Sequence, residues 1–253
     1  MTILNYCLDA ILNTGKMILT GVLPWLATAG LMQVISSALR RKLACLLGTG
    51  LWVYLTAPGV MIHELSHAFF CLVFRHRIVE MKLFSPEEDG TLGYVNHSYN
   101  PQSLFQRCGN FFIGTGPIWG GTALLAVLSY FLLPGEMTRY NSASEEQFGE
   151  FISGLFSVTF WTSWTSWLWL YLTLTICSHI TLSCSDLRGA VDGFGMLCGV
   201  FLLANVLLDW CGNWPQIING LSLSIFGMLL PIFGVISIFM LVMTAIIHGF
   251  ARR

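Results

Sequence analysis

The sequence predicts an all-α polytopic membrane protein of about six transmembrane helices, with a small membrane-associated β-hairpin between two of them. Two observations lead to this prediction. The 253 residues are 55% hydrophobic and 10% charged, so the chain is far more apolar than an average soluble domain. Its charges fall in short clusters between long apolar runs and sum to −1. We therefore expect a lipid bilayer around the protein and no nucleic-acid partner, while its oligomeric state is left open.

Six apolar runs are long enough to form the spans, because a bilayer core requires about 20 apolar residues per helix. They lie near residues 17–39, 43–74, 109–133, 151–180, 190–208 and 221–249. The first run outlasts the apolar core of a signal peptide, so we expect a retained span there. The second is too long for one straight crossing, and Pro58-Gly59 divides it into a short first half and a helix from about 60 to 75. A single integral membrane domain is expected over 1–253.

The hydrophilic segment after the second run has the pattern of a β-hairpin. Extended stretches at 78–84 and 91–97 flank a group of turn-forming residues, Ser85-Pro86-Glu87-Glu88-Asp89-Gly90. We therefore predict a hairpin over about 78–97.

A second pattern is WTSWTSW at 161–167, where tryptophan recurs at a spacing of three. We interpret it as an aromatic belt at the membrane interface or a helix-packing face, with a substrate gate as the alternative.

The strongest chemical signal is HELSH at 63–67, inside the second apolar run. Residues four apart lie about 40° from each other around a helix, so His63 and His67 can direct ring nitrogens to one point. Glu64 projects about 100° away and can contact a water molecule without filling a ligand position. Ionisable groups at membrane depth cost about 2.5–3.5 kcal/mol on insertion scales and persist mainly where they have a partner or a function. We therefore predict one catalytic Zn²⁺ ion on the two histidines, with Glu64 as the general base.

Catalytic zinc usually takes three protein ligands, so one more is required. The candidates for it are His76, His97, His179, Asp186, Asp192 and His248. We prefer Asp186, because LSCSDLRGAVDGFG interrupts an apolar region, and a residue at such a break can approach another helix. Asp192, six residues later and about 240° around a helix, is the reserve. Asp186 also has an ordinary interpretation as a helix cap or a partner of Arg188. His76 is expected at the membrane interface and His97 on the surface.

With these residues in place, the chain resembles the site-2 protease family of intramembrane zinc metalloproteases, as a compact divergent member. HELSH matches the family's helical zinc motif, Gly116-Pro117 its Gly-Pro motif, and SDLRGA its aspartate motif. The likeness covers a catalytic core at about 58–195. It implies that the two motif histidines and Asp186 bind the zinc ion, while Glu64 acts as the base.

The resemblance implies regulated intramembrane proteolysis, in which a peptide bond is hydrolysed in or near the transmembrane segment of a single-span membrane protein. It also implies an integral multi-pass protein of a bacterial cytoplasmic membrane. The hairpin would hold an unwound substrate through a free strand edge, or serve only as a connector. Two other functions stay open: a metal or proton transporter, and a non-catalytic pseudoprotease that binds membrane proteins. A non-ligating glutamate beside the first histidine favours the protease.

Overall fold

The computed structural model describes residues 3–135, 145–208 and 220, which are mostly helical. The helices found there are α1 (Ile3–Gly21), α2 (Leu23–Leu47), α3 (Thr49–Leu55), α4 (Ala57–Val73), α5 (Leu104–Gly114), α6 (Gly116–Leu132), α7 (Glu145–Leu155), α8 (Val158–Thr162), α9 (Trp164–His179) and α10 (Cys184–Leu208). Between α4 and α5 lie two strands, β1 (Arg77–Lys82) and β2 (Tyr94–Ser98). The division of the second apolar run at Pro58 is confirmed, with α3 before it and α4 after it.

The membrane prediction is supported at a coarse level. Two stretches, Cys7–Leu39 and Cys184–Leu207, are long and apolar enough to cross a membrane, and α5 with α6 forms a third if that bent pair counts as one span. Six transmembrane helices are not found in the described residues, and the run at 221–249 lies outside them. The described runs fall short because they are broken: Ser157 and Ser163 begin new helices within 151–180, and α4 has only 17 residues.

The predicted hairpin is confirmed. Strands β1 and β2 pair antiparallel, from Arg77 opposite Ser98 to Lys82 opposite Tyr94, with a bulge between Ile78 and Glu80. The strands end earlier than the pattern indicated, because residues 83–93 form a wide turn. Within that turn, Ser85 N–H donates to Leu92 O at 2.7 Å. Gly90 adopts φ +90°, a conformation that favours glycine.

Helix α4 lies at the centre of the fold, packed against α5, α6 and α9, while α5 packs along α10. One apolar core joins α9 to α6 through Trp169, Ile176 and Leu125. A second joins α5 to α10 through Phe111 and Ala190. In a bilayer, contacts of this kind hold helices together by van der Waals packing rather than by removing apolar surface from water. Ile62 of α4 packs against the first core, and the second core holds α10 against α5.

The outside of the molecule is strongly apolar. Large side chains such as Phe131, Phe156 and Val158 are mostly exposed, which suits a surface in contact with lipid. Trp161, Trp164 and Trp167 of the WTSWTSW pattern are also exposed. Their exposure favours the interface-belt interpretation over packing between the described helices.

Candidate metal centre

Two imidazole rings converge on one turn of α4. The Nε2 atoms of His63 and His67 lie 3.1 Å apart, and the rings meet edge to face with centroids 4.8 Å apart. His67 is buried, and His63 is partly exposed. The spacing of four residues therefore directs both side chains to one point, as the sequence predicted.

Backbone carbonyls fix the orientation of both rings. His63 Nδ1 lies 2.8 Å from His179 O, and His67 Nδ1 lies 2.6 Å from Ile113 O. A carbonyl oxygen only accepts, so in each ring the Nδ1–H is the donor. In the neutral rings the Nε2 atoms then carry lone pairs that face each other. Two lone pairs at this separation repel, and a bound cation removes that repulsion.

Both orienting carbonyls come from helix ends, where the regular helical donors are missing. His179 is the last residue of α9. Ile113 lies near the end of α5, four residues before Pro117, and proline has no N–H to donate to it. The Gly-Pro pair at 116–117 therefore leaves the Ile113 carbonyl available to His67.

Asp186 brings a carboxylate to the same point. Its Oδ1 lies 3.5 Å from His67 Nε2, and its Oδ2 lies 3.9 Å from His63 Nε2. Ser183 N–H donates to Asp186 Oδ2 at 2.7 Å, and Asp186 N–H donates to Ser183 Oγ at 3.1 Å. This reciprocal pair caps the start of α10 and fixes the aspartate in its first turn. The capping and ligand interpretations of Asp186 are thus compatible.

Close packing of α5 on α10 makes this approach possible. A side chain at Gly114 would collide with the backbone oxygen of Asp186, and it would lie 2.8 Å from Ala190 N. Only glycine therefore fits at this crossing. The same end of α5 supplies the Ile113 carbonyl, so one short segment positions both His67 and Asp186.

The three side chains fit a zinc ion. One ligand atom from each of His63, His67 and Asp186 lies within 4.8 Å of the others. Tetrahedral zinc with ligands at about 2.0–2.1 Å separates its ligand atoms by about 3.3 Å, and the observed separations are 3.1, 3.5 and 3.9 Å. Two neutral imidazoles and one carboxylate are also a donor set that zinc accepts in catalytic sites, where a fourth position stays open.

Glu64 lies beside this cluster without joining it. Its side chain is buried, but its carboxylate accepts no hydrogen bond from the residues that the structure describes. Glu64 lines two cavities, one of about 480 Å³ that also contains the three candidate ligands, and one of about 250 Å³ next to Gln33 and His179. A buried carboxylate that faces open space beside the candidate ligands can exchange a proton with a molecule in that space.

The β-hairpin forms one wall of both cavities. Gly93 lies directly over Glu64, and a Cβ added to it would be 2.9 Å from Glu64 Cγ. Strand β2 lines the larger cavity from Tyr94 to His97, and α5 lines it with Asn110. The hairpin is therefore part of the site rather than a connector alone.

The reserve ligand Asp192 lies elsewhere. Its carboxylate is 3.5 Å from the Arg107 guanidinium and accepts a 3.2 Å hydrogen bond from Asn110. It is not among the side chains that converge near His63. The separation around α10 that the sequence predicted for the two aspartates explains this difference.

His97 is half-buried and lines the larger cavity, so the expectation that it lies on the surface was wrong. His76, expected at the membrane interface, is buried within the protein and only 4% exposed. Burial lowers the pKa of His97 to about 4, with further lowering from the rings of His76 and His67. His179 contributes its carbonyl instead of its ring, and His248 lies outside the described residues.

Sequence reasoning missed the groups that orient the ligands. The Ile113 and His179 carbonyls carry no side-chain signal, and Gly93 is one of many glycines in the chain. Pro117 was the one available indication, because the carbonyl four residues before a proline lacks its helical donor.

No protein-family model matches the sequence, and no curated protein and no solved structure matches it. The geometry of the site and the motif resemblance are therefore the only indications of what the protein does.

Proposed function

We propose that the protein is a zinc-dependent intramembrane endopeptidase of the site-2 protease type. It hydrolyses a peptide bond in or near the transmembrane segment of a single-span membrane protein, as a multi-pass protein of a bacterial cytoplasmic membrane. The observation that carries this proposal is the convergence of His63, His67 and Asp186 with the unbonded carboxylate of Glu64 on one cavity. Three ligands and a separate base are what metal-assisted hydrolysis requires.

In this proposal the zinc ion and the residues of the protein have separate chemical roles. A zinc ion on His63, His67 and Asp186 supplies Lewis acidity for the scissile carbonyl and for the attacking water. Glu64 takes a proton from that water at a carboxylate oxygen as the new C–O bond forms. It gives the proton to the leaving amine nitrogen as the C–N bond breaks. The Ile113 and His179 carbonyls keep both imidazoles in the tautomer that presents Nε2.

Glu64 also favours hydrolysis over metal transport. A transport site needs ligands that bind and release the ion, whereas Glu64 lies next to His63 in sequence but outside the ligand group. Its carboxylate opens on the cavity beside the candidate ligands, where a base that accepts a proton from water has to lie.

Substitution of Glu64 by Gln tests the proposal. Comparing the membrane proteomes of cells that carry the wild type or Glu64→Gln should reveal single-span proteins that accumulate with the variant. The purified variant should keep one zinc ion per chain. Glu88→Gln, an exposed change at the hairpin tip, is the matched control and should behave as the wild type. Unchanged cleavage by Glu64→Gln would exclude this residue as the base. If the protein carries zinc into vesicles and Glu64→Gln does not change this flux, a transporter would be favoured instead.

A further inference from the structure

A hydrogen-bonded pair of histidines, His76 and His97, lies outside the candidate metal ligands, and one of the two rings lines the larger cavity. His76 follows α4 directly, after Arg75 turns the chain with φ +58°, and His97 lies in β2. Their Nδ1 atoms are 3.1 Å apart, and His97 lines the same cavity as Glu64. Neither ring belongs to the group that can hold a metal ion. One ring of this pair is buried and the other is half-buried beside the candidate active site, so the role of the pair requires a separate explanation.

The hydrogen bonds determine which nitrogen of each ring carries the proton. His76 Nε2 lies 2.8 Å from the backbone oxygen of Gln106, and this oxygen only accepts, so His76 Nε2–H is the donor. Burial lowers the pKa of both rings, so both are neutral at pH 7. Neutral His76 then has a lone pair on Nδ1, and His97 Nδ1–H donates to it. His97 is left with a lone pair on Nε2.

His97 Nε2 is a free acceptor held in a fixed position. It has no hydrogen-bond partner among the residues that the structure describes. His76 stacks on Tyr99 with ring centroids 5.0 Å apart and an interplanar angle of 15°, and this stacking locks the ring to which His97 is bonded. An acceptor that is already oriented loses little conformational entropy when a ligand binds.

We propose that His97 is a substrate-binding residue that accepts a hydrogen bond, through Nε2, from a backbone amide N–H of the peptide in the larger cavity. His76 acts as a positioning residue that sets the tautomer and the angle of the His97 ring. This inference rests on the proposed peptidase function. It assigns different parts of the site to different groups of the peptide. The candidate metal ligands and Glu64 act on the scissile carbonyl and the attacking water, and His97 binds a backbone N–H. A carbonyl or carboxylate group is not recognised, because neutral Nε2 has no proton to donate.

Two substitutions of His97 distinguish the role of its Nε2 atom from that of its Nδ1 atom. The amide of Gln places an acceptor near the Nε2 position, whereas the shorter Asn places one near Nδ1. Both are introduced into the Glu64→Gln protein, which binds without turnover, and the probe is fluorescein-labelled casein in detergent micelles, an unfolded chain with accessible amides. Fluorescence anisotropy should show affinity within about threefold of the parent for His97→Gln. For His97→Asn we expect a loss of about five- to tenfold, the effect of one hydrogen bond. Zinc content should be unchanged in both.

Equal casein affinity of His97→Asn and its parent overturns the inference, and so does an equal loss in both variants. A readout without substitutions is the ¹⁵N spectrum of the wild-type protein, where His97 should be the Nδ1–H tautomer; the Nε2–H tautomer overturns the inference. Failure of the proposed function is distinguishable, because no single-span protein then accumulates in cells that carry Glu64→Gln, whatever the casein affinities of the variants at position 97.

Discussion

Each side chain of the candidate metal centre makes a second interaction that fixes its orientation. His63 and His67 donate to backbone carbonyls, and Asp186 accepts the N–H of Ser183. Partners of this kind keep imidazole in the correct tautomer and reduce the entropy lost when a metal ion binds. The site is therefore organised before zinc arrives.

Substitution of Asp186, the candidate third ligand, should lower zinc affinity far more than substitution of Asp192. Asp186→Ala should lower zinc affinity by about 100-fold or more, since even the partners of ligands typically contribute 10- to 100-fold. Asp192→Ala should leave zinc affinity unchanged, because Asp192 pairs with Arg107 and Asn110 instead. Competition with a chromophoric chelator measures both values. Full zinc affinity in Asp186→Ala would show that another residue completes the site.

His97 should make the fold sensitive to acid. Its pKa in the folded protein is about 4, below the ordinary 6.5, so between these values the unfolded chain binds a proton that the folded chain does not. Stability present at pH 7 is therefore lost as the pH falls from 6.5 towards 4. Because the ring is partly accessible to solvent, we expect a loss of about 1 kcal/mol from this group.

His97→Gln cannot take up this proton and isolates the effect. Thermal unfolding of the wild type and His97→Gln at pH 7 and pH 5 should give a smaller decrease in Tm for the variant. His76 also has a lowered pKa, but it is present in both proteins. Identical decreases in Tm would show that His97 does not titrate below its ordinary range.

Helix ends, rather than helix middles, supply the carbonyls that orient the two imidazoles. The break between α5 and α6 bends the chain by 62° at Thr115, and Pro117 prevents the regular hydrogen bond to Ile113. Such a break is tolerated at membrane depth only where other groups satisfy the freed carbonyl. His67 is that group, so the bend and the metal site depend on each other.

Pro117→Ala should therefore weaken zinc binding although it touches no ligand. Residue 117 would gain an N–H that competes with His67 for Ile113 O, and we expect zinc affinity to fall by about tenfold or more. Pro24→Ala is the matched control, because Pro24 also lies in the first turn of a helix but far along the chain from the site. Isothermal titration with zinc compares the two. Equal affinities would show that the ring orientation of His67 does not depend on the proline.

Three segments far apart in the sequence meet at the candidate site: α4, the end of α5, and the start of α10. The spacing within HELSH is local, so sequence alone could predict the convergence of His63 and His67. The position of Asp186 was also predictable, because it lies at a break in an apolar region. The place of His97 was not, since it depends on how the hairpin folds back over α4. Only two or three of the six predicted spans are found among the described residues, since composition does not show where caps divide an apolar run.

Zinc should connect these three segments and so stabilise the folded protein. Removing the ion with a chelator should lower Tm, and zinc at about 1,000 times its Kd should restore about 4 kcal/mol. Glu64→Gln should show the same dependence on zinc, because Glu64 is outside the ligand group. Asp186→Ala should show little or none. A chelator effect of equal size in Asp186→Ala would indicate that the ion stabilises the fold from another place.

The position of the Gly93 backbone determines how other molecules can approach Glu64. It stands between a cavity of about 480 Å³ and one of about 250 Å³, and the carboxylate is reached from both. If the protein is the peptidase proposed above, a peptide in the larger cavity would leave the smaller one as a second approach to Glu64. Water could then reach the carboxylate without passing the bound peptide.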